Sequence, residues 1–387
     1  MPFVSRKPFA DLLPFAAMLA ATLLAFAPVR VVAAESPAWD RCRDGSGASQ
    51  VQAIDACTLL LQAATNPPSR SFVLALRGRQ YYLAEKYDSA IADLDAAIGL
   101  DPELPQPVHY RGLSYAAKGD FDHAIADFSR VIKLDPAFSA AYFRRGLAFY
   151  NKGDFDKAIS DLDLAIARDP TDSTSYHYRG LSHFKRGEQD LAIADYNEVI
   201  KRDRKDSLAL FNRGNAYAAK TDSARALADY DQAIALAPGD VRFLAARGEL
   251  KRANGDLDGG LADINAVLAV KPADQKALLV RSRIYATKGD SERSETDYAM
   301  VVTGLLQQSM LYPDEARKKR EQGDVRVTFA INRDGKVTSS AITTPSNNAL
   351  LDREALAMIQ RAQPFPSPSV IGKDSEEFAT TIKFKLF

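Results

Sequence analysis

The chain has 387 residues, 46% of them hydrophobic, with Lys+Arg and Asp+Glu balanced at 50 each. That length predicts roughly two or three domains of ~100 to 200 residues. The zero net charge removes any general attraction to nucleic acid or anionic lipid, so a nucleic-acid-binding role is not expected.

The first 34 residues differ in kind from the rest. Arg6 and Lys7 precede an uncharged, mostly apolar run from Leu12 to Val29, and "VRVVAAES" follows. Val32 and Ala34 are small enough for a signal peptidase, so residues 1–34 read as a signal peptide cleaved after Ala34. The alternative is an uncleaved membrane anchor, because about 18 uncharged residues is the lower limit for spanning a bilayer. Either reading exports the remainder from the cytoplasm.

Cys42 and Cys57, the only cysteines, lie just after that site. In an oxidising compartment an even count at short spacing predicts a disulfide. Closing a loop of about 15 residues stabilises by roughly 3 kcal/mol. Residues 35–70 are therefore expected to form a disulfide-linked N-terminal cap containing one helix over 51–68.

From residue 71 the sequence repeats. "GDFDHAI" at Gly119 recurs as "GDFDKAI" at Gly153, "GEQDLAI" at Gly187 and "GDLDGGL" at Gly255, in a 34-residue phase that defines seven units over 71–308. Gly78, Gly112, Gly146, Gly180, Gly214 and Gly248 form a second ladder, with Ser282 in the seventh place. Pro102, Pro136, Pro170, Pro238 and Pro272 form a third. Each unit reads as two antiparallel helices that approach closely at the glycine and stop before the proline. No unit buries its apolar face alone, so the units must stack. Lys251, Gly260 and Ser294 depart from the pattern, standing in apolar or small places. Arg77, Arg111, Arg145, Arg179, Arg213, Arg247 and Arg281 are each followed 16 residues later by an aspartate, from Asp93, Asp127 and Asp161 to Asp297. Such pairs can meet across the two helices as structural ion pairs.

With Tyr142, Gly146, Phe149, Ala158, Leu162, Ala165 and Pro170 in phase, the run resembles the tetratricopeptide repeat family. The resemblance implies an α-solenoid whose first helices line a concave face with the second, fifth, ninth and twelfth positions of each unit. Here those positions hold His109, Leu113, Phe143, Leu147, Tyr150, His177, Leu181, Phe184, Phe211 and Asn215, with Arg242, Arg252 and Arg283 further on. This set reads either as an apolar groove with a basic end, suited to a peptide, or as packing between neighbouring helices.

After Leu306 the phase stops. Pro313, Asp314, Glu315 and the run Arg317 to Arg320 predict a helix that Gly323 can end. "DVRVTFAINRDGKV" from Asp324 alternates with period two and turns at Asp334-Gly335, predicting strands near 324–332 and 336–344. A helix over about 351–362 and a closing strand containing Phe378, Thr380, Ile382, Phe384 and Leu386 complete the segment. Tyr312-Pro313, Gly323, Gly335-Lys336-Val337, Leu351-Asp352, Phe365-Pro366 and the closing run resemble the C-terminal domain of the TonB family.

The expected fold is mainly α, a tetratricopeptide-repeat solenoid over 71–308 followed by a small α+β domain over 309–387. The second resemblance implies a periplasmic location and addition of a partner strand at the closing strand, with Phe378, Thr380, Thr381, Ile382 and Phe384 as the candidate edge. The reading is a periplasmic interaction scaffold with protein or peptide partners in the envelope, an outer-membrane transporter among them. Its alternative is an inner-membrane-anchored energy transducer serving transport across the outer membrane. No catalytic motif, metal-ligand cluster or cofactor loop is present, so neither an enzyme, a metal nor a cofactor is expected.

Overall fold

A computed structural model describes residues 37–45 and 49–386; the expected signal peptide and its cleavage site lie outside those residues. The fold is mainly α, an array of paired helices followed by a small three-stranded α+β domain. It divides into two compact units between Arg204 and Lys205, inside the repeats rather than at their end.

The first unit begins with α1 (Pro37–Asp44) and α2 (Gln50–Ala63), joined by the Cys42–Cys57 disulfide. Both cysteines are fully buried against Ala56 and Leu76, which makes the bridge part of a small core. Four helix pairs follow: α3 (Pro67–Leu83) with α4 (Tyr87–Leu100), α5 (Pro105–Ala117) with α6 (Phe121–Leu134), α7 (Ser139–Lys152) with α8 (Phe155–Arg168), and α9 (Ser173–Lys185) with α10 (Gln189–Arg202).

The second unit holds α11 (Ser207–Ala219) with α12 (Ser223–Leu236), α13 (Val241–Ala253) with α14 (Leu257–Val270), and α15 (Gln275–Thr287) with α16 (Ser291–Gln308). It ends in α17 (Asp314–Lys318), β1 (Gly323–Asn332), β2 (Val337–Thr344), α18 (Ala349–Arg361), a 3-10 turn (Pro368–Ile371) and β3 (Ser375–Phe384).

The repeat consensus acts through sterics and capping. A Cβ built on Gly112 would stand 2.8 Å from the Phe128 ring, so glycine sets the distance between paired helices. The aspartate that follows the turn residue is an N-cap: Asp120, Asp154, Asp256 and Asp290 after glycine, and Asp222 after Thr221, each accept from the backbone N–H three residues on. The atypical residues have local reasons. A Cβ on Gly260 would meet the Gly248 carbonyl oxygen at 2.9 Å. Ser282 and Ser294 exchange hydroxyl-to-carbonyl hydrogen bonds of 2.8 and 2.9 Å. Lys251 reaches the Asp263 carboxylate at 3.0 Å.

The C-terminal sheet has the order β2-β1-β3, antiparallel throughout. Val325, Val327, Phe329 and Ile331 are all buried against Leu351, Ala355, Met358 and Ile359 of α18 and against Ile382 and Phe384 of β3. The helix expected up to Gly323 stops at Lys318, and Arg320 makes the break in a left-handed conformation (φ 54°). Gly323 opens β1 instead, where a Cβ would lie 2.9 Å from Ser346 Cβ.

This core is not confined to the C-terminal segment. Tyr298, Val302 and Leu306 of α16 belong to the same cluster. The helix is 18 residues long where the second helix of the other pairs has 14, and the added turn carries Leu306 into the core.

Candidate functional site

Each ladder arginine forks onto its aspartate. Arg145 donates from Nε and Nη2 to the two Asp161 oxygens, both at 2.7 Å, and the other six pairs repeat the arrangement at 2.6 to 3.2 Å. The third guanidinium nitrogen often reaches the preceding pair: Arg111 to Asp95, Arg179 to Asp163 and Arg247 to Asp231 at 2.6 Å, and Arg145 to the Ser129 hydroxyl at 2.9 Å. The fork therefore closes one helix pair and ties it to its neighbour. The Asp161 hydrogen bond outweighs burial and raises the Arg145 pKa, so the cation persists at all ordinary pH. These groups are consumed by structure.

The first helices present the face expected to meet a ligand, and the structure divides its residues. His109 and Leu113 are buried, 7% and 4% exposed, with His109 wedged between the Phe128 and Phe138 rings at 5.7 and 5.1 Å. Phe143, Leu147, Tyr150, His177, Leu181 and Phe184 are half-buried on α7 and α9. Phe143 and Tyr150 meet edge-on at Tyr178, 6.0 and 5.8 Å between centroids, a contact that the second-fifth-ninth-twelfth rule omits because Tyr178 is at the sixth position. In the second unit Phe211 packs on Phe243 at 4.8 Å, and Asn215 accepts from the Tyr230 hydroxyl at 2.8 Å. The three arginines expected at a basic end all meet carboxylates. Arg242 is held by Asp240, Arg252 forks onto Glu249 at 2.9 Å, and Arg283 stands 3.9 Å from the same carboxylate.

The sheet edge follows from register. The Asn332 N–H donates to Lys336 across the hairpin, so Asn332 turns its main chain toward β2. β1 pairs with β3 without a break from Gly323↔Phe384 to Asn332↔Ser375, while both irregularities opposite β2 skip a β2 residue, Thr338 and Thr343. Even-numbered β1 residues thus aim at β2 and odd-numbered ones at β3. Through Val325↔Ile382, Val327↔Thr380 and Phe329↔Phe378, the even residues of β3 bond to β1. Glu377, Ala379, Thr381 and Lys383 therefore turn their N–H and C=O groups outward, and no strand lies beyond them among the described residues.

Of the five residues expected at this edge, Thr381 is exposed and points its main chain outward. Ile382 and Phe384 are buried, Phe378 stacks on Phe329 at 5.4 Å, and Thr380 is half-buried; their main chains bond to β1. These four hold the strand to its domain and leave the adjacent positions as its outer edge. Alternation in the sequence identified the strand. Only the position of β3 outside β1 decides which main-chain groups are open.

Comparison with known proteins separates the repeats from the C-terminal segment. A tetratricopeptide repeat model matches residues 111–173, 179–241 and 245–304, and the model for the Gram-negative bacterial TonB protein C-terminal matches residues 308–386. Over 57 residues the chain is 44% identical to Protein TonB of Pseudomonas putida; the match covers 15% of this chain and about a quarter of that protein, 24% of its length. Among solved structures, the C-terminal part of a TPR repeat-containing protein from Cytophaga hutchinsonii has a TM-score of 0.51 and 23% identity, covering 62% of this chain and 96% of its own. A chain of the APC/C hetero-tetramer Cut9-Hcn1 has a TM-score of 0.48 and 19% identity over 66% of this chain and 49% of its own. The Cytophaga likeness shows the helix-pair fold.

Proposed function

We propose that this chain, a run of tetratricopeptide repeats closed by a TonB C-terminal domain, is a periplasmic interaction scaffold. The repeats hold a peptide or protein partner, and β3 accepts an extended segment of an envelope protein as an added strand. The observation that carries this reading is the outer edge of β3, where Glu377, Ala379, Thr381 and Lys383 offer main-chain donors and acceptors in strand register. Main-chain pairing supplies affinity with little demand on partner sequence. The ion pairs and caps of the repeats are engaged in structure, which favours binding over catalysis.

A photo-crosslinker at Thr381 in intact cells tests it. The expected product joins this chain to an envelope protein, and adding Ala379→Pro to the crosslinking chain abolishes it while the fold persists, because that N–H does not serve β1. Capture of cytoplasmic proteins alone would overturn the assignment. The 44% identity to Protein TonB favours a second reading, an energy transducer anchored by an uncleaved N-terminus. Sequencing the mature N-terminus separates the two: Glu35 fits the scaffold, and Met1 the transducer.

A further inference from the structure

The fifth position of the repeat is a ring in four consecutive pairs: His109, Phe143, His177 and Phe211. Three of these rings pack toward the second helix of their own pair. His109 touches Phe128, His177 touches Tyr196 and Phe211 touches Tyr230, at 5.7 to 6.0 Å between centroids. His109 and Phe211 also touch the start of the next pair, at Phe138 and Phe243. Thirty-four residues after Phe211 the position is Ala245. The repeat equivalents of the ring's partners are there Ile264, Asp274 and Ala277, and all three line an open crevice of about 380 Å³ beside Ala245. In the first repeat, which also has alanine (Ala75), the neighbouring Arg79 is 4% exposed and donates to the Tyr110 hydroxyl and the Arg43 carbonyl.

The floor of the crevice is aliphatic: Val241, Ala245, Ile264, Val267, Ala277 and Val280. Its rim carries three basic side chains, Arg242, Lys271 and Lys276, against two acidic ones, Glu249 and Asp274, both of which are engaged. Arg242 is held by Asp240, Glu249 by Arg252, and Asp274 caps α15 by accepting from the Ala277 N–H. Lys271 and Lys276 are exposed on the same rim; the Lys271 ammonium lies near enough to Asp240 to help lower that carboxyl's pKa, and both heads remain open to solvent. An open apolar space beside two exposed ammonium groups complements an aromatic side chain flanked by carboxylates.

We infer that the crevice beside Ala245 is the specificity pocket of the repeats, taking one aromatic side chain of an acidic, extended peptide whose carboxylates meet Lys271 and Lys276. This rests on reading the repeats as a peptide-binding scaffold and locates the binding in the sixth and seventh repeats.

The probe is a fluorescein-labelled peptide, Glu-Glu-Trp-Glu-Glu, titrated against the full chain by anisotropy at low salt. Wild type binds it, and replacing the tryptophan by alanine or the glutamates by lysine weakens binding by about tenfold or more. Ala245→Phe restores the ring of the other repeats and also weakens binding by about tenfold, without lowering the melting temperature. Lys276→Glu, on an exposed side chain, weakens binding several-fold and flattens its salt dependence. No binding at about 100 µM, or unchanged binding by Ala245→Phe, overturns the pocket. If Leu147→Glu on α7 removes binding and Ala245→Phe does not, the repeats bind peptide elsewhere: the scaffold reading stands and the crevice assignment falls.

Discussion

Tyr298, on the last helix of the repeats, donates its hydroxyl to the carbonyl of Pro366 in the C-terminal domain, 68 positions away. Burial raises the phenol's pKa, so it remains a donor across the physiological range. The same ring lies 5.8 Å from Phe378 of β3. Close by, Lys373 bridges Glu295 of α16 and Glu376 of β3 at 2.8 Å each. The last repeat and the edge strand are therefore built on one core.

Removal of that contact should be felt by both parts. Tyr298→Phe is expected to cost about 1 kcal/mol, the net worth of one hydrogen bond. Tyr298→Ala should cost about 3 to 5 kcal/mol by leaving a cavity at a fully buried ring. Residues 309–387 expressed alone should lack a cooperative melt, and a chain ending at Gln308 should aggregate through Val302 and Leu306. Calorimetry of the two fragments checks this; two independent, cooperative transitions would falsify the shared core.

Arg145 is 21% exposed and Asp161 only 6%, so deleting the arginine strands a buried carboxylate. Arg145→Ala should destabilise the first unit by about 3 kcal/mol in urea titration. Replacing both partners by apolar residues should recover most of that loss, since no buried charge then remains. A single mutant that unfolds at the wild-type midpoint removes the fork from the stability argument.

Gly335 has φ 76°, and a Cβ there would lie 2.0 Å from the Phe365 carbonyl oxygen, whose own N–H donates to Gly335. Two constraints coincide at one position. Gly335→Ala should cost more than about 2 kcal/mol, the sum of strain and displacement of the Phe365 turn. The hairpin amides should lose protection in hydrogen exchange while those of α7 and α8 keep theirs. Retained protection at Asn332 and Phe365, whose amides donate to Lys336 and Gly335, would contradict this.

Four capping carboxylates contribute to the acid response. The His123 backbone N–H lowers the Asp120 pKa, and the side chains of Lys157, Arg225 and Arg242 lower those of Asp154, Asp222 and Asp240. A carboxyl lower in the folded than in the unfolded chain stabilises fully above its unfolded value, about 4, and stops doing so as pH falls through its folded value. Asp195 acts in the opposite sense, because burial raises it and acid then favours the folded form. Asp169 and Glu198 are lowered as well, by the Thr171 hydroxyl and by Arg202, so with more carboxyls lowered than raised urea midpoints should be level from about pH 7 to 5 and fall below about pH 4. A midpoint that rises on acidification contradicts the assignment.

The order of elements was legible in the residues because repetition multiplies weak local signals. Gly112 or Pro136 alone says little, but six glycines and five prolines in one phase specify helix pairs. The ladder was legible for the same reason. The helix after Pro313 was misjudged: Gly323 looked like a stop signal, yet Arg320 breaks the helix and Gly323 is small because Ser346 approaches it. The ion pairs of the basic end were not legible, because Asp240 and Glu249 are also common capping and surface residues, and only folding brings them onto Arg242 and Arg252.

By itself the sequence determined the helix pairs, the alternating strands and the change of architecture after Leu306, because each depends on short-range periodicity and on where glycine and proline fall. Tertiary structure alone decided that α16 belongs to two cores, that β3 lies outside β1, and that Ala245 opens a crevice rather than filling one. These are relations between segments distant along the chain. Their energy comes from contacts that exist only once the segments pack, and no single stretch of sequence records them.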